Sequence, residues 1–376
     1  MSVVTASGVR FELAGPADDP GLRALLRAMP MGTGIRVTFE REPSYFSAAR
    51  LQGEVQVPVA RDPAGRVLGM GLRAFSPAWR GGAAAEAGYL ADLRLLPEHR
   101  GGTLLARGYR FLRELHADRR AAVYATMLVA DNAVALSTIA AGRAGLPLYR
   151  DLGRYLSPSI LLGARPTAPR LPGVGVERGS LKRLPDIVAA LNAFGREREF
   201  APVHAEADFL PGGRWPGLRP EDFFLAVRGG RVVGTLARWD QGSFRQTRVH
   251  GYSPALEAAR RLARPFARLP APARLRLAAR LPVPGALVPH LYAAFPSAEA
   301  PAVLRLLIDA LRADAAGGPH LYAVLGLSER DPLASALSGV PQVPFAGRLF
   351  AVHFSDGRAE ADALAGRIPY LEAGAL

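Results

Sequence analysis

Apolar positions along the chain follow two rhythms, short runs that repeat every second residue and longer stretches that repeat roughly every 3.6, which predicts strands interleaved with helices. Val9 to Leu13 reads as a strand. After an Asp-Asp-Pro turn, Leu22, Leu25, Leu26 and Met29 share one helical face. A second helix is predicted over 44–51. The runs Val55 to Ala60 and Val67 to Phe75 flank the turn signal Asp62-Pro63-Ala64-Gly65 and form a hairpin. A strand at Tyr89 to Leu95, a helix at Thr103 to His116 and a strand at Val123 to Val129 follow. Asp131 or Asn132 then caps a helix that runs to about Ala144, and strand-like segments occupy 146–162.

Pro166, Pro169 and Pro172 stiffen 164–173, which is expected to be a linker. The pattern then begins again. A strand at 174–178, a helix at 184–194 and a hairpin of Phe223 to Val227 with Val232 to Trp239 are followed by a strand at His290 to Phe295. A helix at Ala300 to Ala313, a strand at His320 to Leu325, a helix at 332–338 and a strand at Leu349 to Phe354 complete it. The expected fold class is α/β with a mixed sheet, in two tandem units of 1–163 and 174–376; a length of 376 residues suits two cores. Residues 252–287 form a basic helical insertion in the second unit. There Leu256, Leu262, Phe266 and Leu269 make an apolar stripe beside Arg260, Arg261, Arg264 and Arg268. The stripe is expected to pack on its own unit and leave the arginines solvated, with a membrane surface or tRNA as the alternative contact.

Chemistry concentrates at Leu93 to Leu105, an apolar strand that breaks at Pro97, a basic glycine turn and the start of a helix. Amides in such a turn and in a helix's first turn lack intrahelical partners, and the helix dipole adds positive potential, so a polyoxyanion is the expected ligand. A Walker loop is excluded because no lysine follows Gly101 or Gly102. A dinucleotide fingerprint is not supported, since three spaced glycines are missing.

The segment resembles the coenzyme A pyrophosphate loop of the GNAT acetyltransferase superfamily, on Leu93, Leu95, Pro97, Arg100 and Gly101, with Thr103 where glycine or alanine is usual. The order of elements over 9–163 resembles that family too. The resemblance implies that Leu93 and Leu95 bind a pantetheine arm with their backbone groups, and that Arg100, Gly101, Gly102, Thr103, Leu104 and Leu105 hold the pyrophosphate. It also implies that Asn132 contacts the cofactor, which would be acetyl-CoA or another acyl-CoA, and that a strand amide stabilises the oxyanion as an amine attacks. The tyrosine that many members use as an acid is absent, since Ile139 or Ala141 holds its place. Tyr149 and Tyr124 are the candidate substitutes, with protonation of the thiolate by water as the alternative. Glu86, Tyr89 and Asp92 are the candidate bases, with an ion pair of Asp92 to Arg94 or across the two units as the alternative role for that carboxylate; unbroken alternation would put Tyr89 and Asp92 on opposite faces, and a bulge would reverse this. The second unit carries Pro-Ser-Ala-Glu-Ala-Pro in place of the loop, with a glutamate that repels phosphate. Cofactor binding is therefore expected in the first unit alone.

The absence of cysteine removes thiol nucleophiles and thiolate metal sites, and the seven histidines form no ligand pair, so no metal is expected. No apolar run of about eighteen residues predicts a membrane span. Met1 to Arg10 lacks a signal pattern, so a cytoplasmic protein is expected. The net charge of +14 is almost all arginine spread along the chain, with Lys182 the single lysine, so nucleic acid stays open as a partner but is not favoured. The leading expectation is an acyl-CoA-dependent N-acyltransferase with an unidentified amine acceptor. An aminoacyl-tRNA-dependent transferase of tandem GNAT type and a non-catalytic acyl-CoA-binding module are the alternatives. Oligomeric state is not readable from the chain.

Overall fold

The computed structural model describes residues 2–4, 8–129, 146–162, 166, 170–267 and 272–376. Their strands form two large mixed sheets and a two-stranded ladder. The first sheet runs, in space, Ser2–Val4, Arg10–Leu13, Pro58–Arg61, Val67–Arg80, Ala83–Leu95, Val123–Val129, Ala346–His353, Leu148–Leu156 and Leu327–Ser328; Glu54–Gln56 pairs with Val67–Arg80 off this path. The second runs Gly175–Arg178, Phe223–Arg228, Arg231–Trp239, His290–Ala298, Tyr322–Val324, Ser159–Leu161 and Gln342–Val343.

Each half thus lends a strand to the other. Ala346–His353, late in the chain, lies between Val123–Val129 and Leu148–Leu156, while Ser159–Leu161 lies between Tyr322–Val324 and Gln342–Val343. This moves Leu349 to His353 out of the second unit and the end of 146–162 out of the first. Alternation reports which face is buried and carries no information about which strand lies alongside.

Helices cover both faces of the sheets. Asp19–Arg27 buries Leu22, Leu25 and Leu26 against Val57, Leu68, Met70 and Leu72. Leu104–His116 brings Phe111 and Leu115 onto Phe11 and Ala60. In the second half Pro301–Ala315 lays Leu304, Leu307, Ile308 and Leu311 on Leu236 and Leu291. Leu184–Arg196 closes the other face over Trp215, Trp239 and Phe295. The segment Pro332–Leu337 is a 3₁₀ helix. Among the described residues no helix is long and apolar enough to cross a membrane.

Several elements escaped the sequence reading, and two of them join the halves. Ile35–Glu40 and Gln246–Tyr252 pair antiparallel and tie the halves together. Here the polar residues face inward: Thr38 and Glu40 are buried while Phe39 is 48% exposed, because Arg248 meets the Glu40 carboxylate at 2.8 and 3.0 Å. The insertion is inverted in part, since Leu256 is half-buried and Arg261 and Arg264 are exposed as expected. Pro254–Ala263 leaves Leu262 76% exposed and, just beyond, Phe266 is also exposed, whereas Arg260 is buried. Glu257, one turn back, accepts from Arg260 at 2.8 and 2.9 Å, and this local neutralisation lets the arginine leave water. Leu269 and Arg268 lie outside the described residues.

A buried bidentate pair fastens the second half, with Arg198 meeting the fully enclosed Asp331 at 2.7 and 3.1 Å. Arg198→Ala strands that carboxylate and is expected to lower unfolding free energy in denaturant by about 3–5 kcal/mol. Arg183→Ala, which removes two surface pairs, to Glu177 and Asp186, is expected to cost about 1 kcal/mol or less.

Candidate active site

The central event is a parting of strands. Ala83–Leu95 and Val123–Val129 run parallel and pair only at Gly88 with Tyr124 and Tyr89 with Ala125. Beyond Tyr89 they diverge. One wall is held from outside by Val67–Arg80, the other by the exchanged strand Ala346–His353. Gly88 permits the approach at the base, since a Cβ there would lie 2.3 Å from the Tyr124 ring. Just past the fork Thr126 donates its hydroxyl to the Leu90 carbonyl at 2.7 Å.

Register against Val67–Arg80 slips from Leu72–Ala91 to Met70–Arg94, so Asp92 and Leu93 form a bulge, with Asp92 in the left-handed region at φ 50°. The bulge reverses the alternation and brings Asp92 round to Tyr89. Leu93 stands in the open at 47% exposure. The strand ends at Leu95, whose carbonyl accepts from Arg100 Nε at 3.2 Å.

The turn that follows is unobstructed. Pro97–His99 forms one 3₁₀ turn, Gly101 takes φ 80°, and a Cβ at Gly101 or Gly102 would meet nothing within 4 Å. Thr103 makes no side-chain cap bond at the start of Leu104–His116. The first-turn amides are therefore free of a protein cap and can take an anion. Leu104 and Leu105 pack their side chains into the protein, leaving their backbone to face the turn. Asn132, the helix it begins, Ile139 and Ala141 lie outside the described residues.

Tyr89 and Asp92, both half-buried, belong to a cluster with the enclosed Arg41 and Tyr45, partners that the sequence reading did not name. Arg41 Nη2 meets the Asp92 carboxylate at 2.6 Å, and the Tyr45 hydroxyl donates to it at 2.9 Å. Burial pushes the Asp92 carboxyl up, but Arg41, aided by Arg94 and Tyr45, outweighs this and holds it below the usual carboxylate range. Burial, reinforced by the Asp92 charge, pushes the Tyr89 hydroxyl well above its ordinary value. Arg245 and Tyr292 from the second half complete the cluster. Only the tertiary ladder puts residues 41 and 245 side by side.

Tyr149 is elsewhere. It packs with Phe350, Leu90 and Tyr124 on the helix side of the sheet, and its hydroxyl is bonded to that of Tyr109 at 2.8 Å. Burial pushes it far up. Tyr124 is fully enclosed between Arg73 and His116. Glu86 is ion-paired with Arg120.

The second half repeats the fork with a different outcome. His290–Ala298 pairs in parallel with Tyr322–Val324 as far as Tyr292, and its register against Arg231–Trp239 slips at Phe295, φ 53°. Tyr292 thus stands where Tyr89 does, and Phe295 where Asp92 does. Gly69 and Gly234 match as well, since a Cβ on either would meet a facing carbonyl, of Arg94 or of Ser297, at 2.9 Å. At the position of Leu93 stands Pro296, which has no N–H to offer. The Phe295 amide is already taken, donating to the Glu372 carboxylate at 2.8 Å, and Gly374 N and the Tyr370 hydroxyl bind the same side chain. Glu299, in the replaced loop, pairs with Arg228 and Arg231.

No family model and no curated protein matches the sequence. Solved structures do match the fold. A GCN5-related N-acetyltransferase from Sphaerobacter thermophilus aligns with TM-score 0.54 at 14% identity, over 93% of this chain and 96% of that one. Saccharomyces cerevisiae N-myristoyltransferase with bound myristoyl-CoA aligns with TM-score 0.56 at 9% identity, over 93% and 84%. A glucosamine N-acetyltransferase region of a fungal multi-domain GH3 β-N-acetylglucosaminidase reaches 0.61 at 12%, over 93% of this chain and 38% of that protein. The chain has the GCN5-related N-acetyltransferase fold.

Because the native Asp92 carboxyl is held low, its pairing contributes stability above the unfolded value near pH 3.9 and loses it as pH falls through the lower native one. Asp92→Asn is expected to cost on the order of 3 kcal/mol at pH 7. In denaturant melts from pH 7 to pH 3 the gap between wild type and variant should close at the acid end.

Proposed function

We propose that the protein is an acyl-CoA-dependent N-acyltransferase, with acetyl-CoA or another acyl-CoA as donor and an amine as acceptor. The observation that carries this is the continuity of an uncapped, unobstructed turn at Gly101–Thr103 with a strand fork that opens just past Tyr89. The groups present fit the donor. Amides of Gly101, Gly102, Thr103, Leu104 and Leu105, with Arg100, would hold its pyrophosphate, and the unpaired edge around Leu93 and Leu95 its pantetheine. When bound, an acyl-CoA supplies a thioester carbonyl open to attack by an amine.

This chain's own residues then have distinct tasks. Backbone N–H groups on the fork's free edge are preorganised donors. Tyr89 keeps its proton at neutral pH and stands at the fork, so it is the side chain placed to donate one. Asp92 is committed to Arg41 and Tyr45, which makes it a positioning residue in this reading. Tyr149, bonded to Tyr109 on the other face, takes no part. The second fork offers neither loop nor free amide, so one donor binds per chain.

Titration calorimetry with coenzyme A is expected to show one site, and absence of binding would overturn the proposal. Arg100→Ala should weaken that binding roughly ten- to hundredfold, the range of a lost hydrogen bond to a charged group. Gly101→Val, which forces a β-branched residue to positive φ, should weaken it too while the fold, followed by circular dichroism, persists.

A further inference from the structure

The cluster beside the fork holds more positive than negative charge. The pairing of Gln246 with Glu40, continued one step, sets Arg245 opposite Arg41, and Gln246 pins the next residue by accepting from Glu42 N and donating to Glu42 O, both at 3.0 Å. Two guanidiniums therefore project from facing strand positions into the neighbourhood of Tyr89, Tyr292 and Asp92. Asp92 neutralises one of them.

No second carboxylate among the described residues comes within ion-pair distance of either arginine. Arg41 is 94% buried, its relative exposure being 6%, and its Nη1 is enclosed with no acceptor. Arg245 spends Nη1 on the Gly374 carbonyl and on Gln241, and its Nε and Nη2 have no partner among the described residues. Burial lowers the Arg245 pKa and the Arg41 charge adds to this, while Tyr292, Asp92 and Tyr89 oppose it without cancelling it. Arg245 is only partly buried and shares the Asp92 charge with Arg41, so the pair keeps an excess of positive charge and free guanidinium donors that an arriving anion can meet. The Asp92 side chain keeps 12% exposure, so solvent reaches the cluster beside the bulge that forms the fork's wall.

We propose that the acceptor amine carries a carboxylate, and that this carboxylate docks on Arg245 next to the Arg41–Asp92 pair while the amino group faces the fork. The inference rests on the N-acyltransferase reading and names its substrate class. A guanidinium edge presents two parallel N–H donors that match the two oxygens of a carboxylate, a geometry an ammonium cannot offer. An acceptor with no anion leaves the Arg41 and Arg245 donors unmet and is discriminated against for that reason. Glu42, close by in sequence, does not compete, because it is held by Arg23 and Arg27.

The test uses the full chain, saturated with acetyl-CoA for turnover or with coenzyme A for binding. Its probes are matched pairs: glycine, leucine, glutamate, glycylglycine and alanylalanine, each beside its C-terminal amide. Thiol release gives kcat/KM, and calorimetry gives affinity. At least one free acid should exceed its amide roughly ten- to hundredfold in kcat/KM, mostly through KM. Arg245→Gln and Arg245→Lys should each bring that ratio near one, with coenzyme A affinity and the melting curve serving as controls for folding. The wild-type ratio tests the idea even where a variant does not fold. Equal behaviour of acid and amide overturns the inference, as does failure of every probe to bind to a protein that binds coenzyme A; both leave the proposed function intact. Failure of coenzyme A itself to bind overturns that function and the inference with it.

Discussion

The parting of two parallel strands after Tyr89 is the constraint on which the rest of this structure depends. Parallel neighbours in a sheet pair along their length unless something holds them apart, because free backbone groups are costly to bury. Here each strand is claimed from its far side. Val67–Arg80 grips Ala83–Leu95 through a long antiparallel register, and Ala346–His353 grips Val123–Val129 through a register that reaches from Val129 to Val123. The bulge at Asp92 redirects the first wall, and Gly88 sets how close the walls come at the base. An edge rich in free amides is thereby kept open beside a turn rich in free amides.

The same backbone device occurs twice and is used in two ways. In the second half the bulge at Phe295 turns its amide into a fork of its own, and the chain's last residues run through it. Glu372 accepts there from backbone and from Tyr370, and burial pushes its carboxyl up while these hydrogen bonds oppose the shift. That fork is filled from within. The comparison shows how one backbone device supports either an unpaired strand edge or a closed core, by choosing between Leu93 and Pro296.

Exchange of strands between the halves has a functional meaning as well as a structural one. The second half supplies a wall-holding strand to the first sheet, and Arg245 and Tyr292 to the cluster around Asp92. The fork and its polar neighbourhood are therefore joint products of both halves. Neither half alone carries the whole arrangement.

Most strands and helices were legible because their apolar periodicity reports local burial, and the turn at Arg100–Thr103 was legible because a glycine bend before a helix is a local chemical object. The Tyr89–Asp92 relation turns on a bulge, which only the pairing with Val67–Arg80 reveals. What failed to show was whatever depends on a distant partner. Ile35–Glu40 hides its polar side because Arg248 waits in the other half, Arg260 is buried because Glu257 neutralises it, and Leu349 joins the first sheet because an edge is vacant there. By itself the chain determined most of its elements and the glycine turn proposed to hold an anion, since these follow from forces acting within a few residues. Tertiary structure alone decided which strands part, which lie together and which charges meet, because pairing and neutralisation are settled between residues hundreds of positions apart.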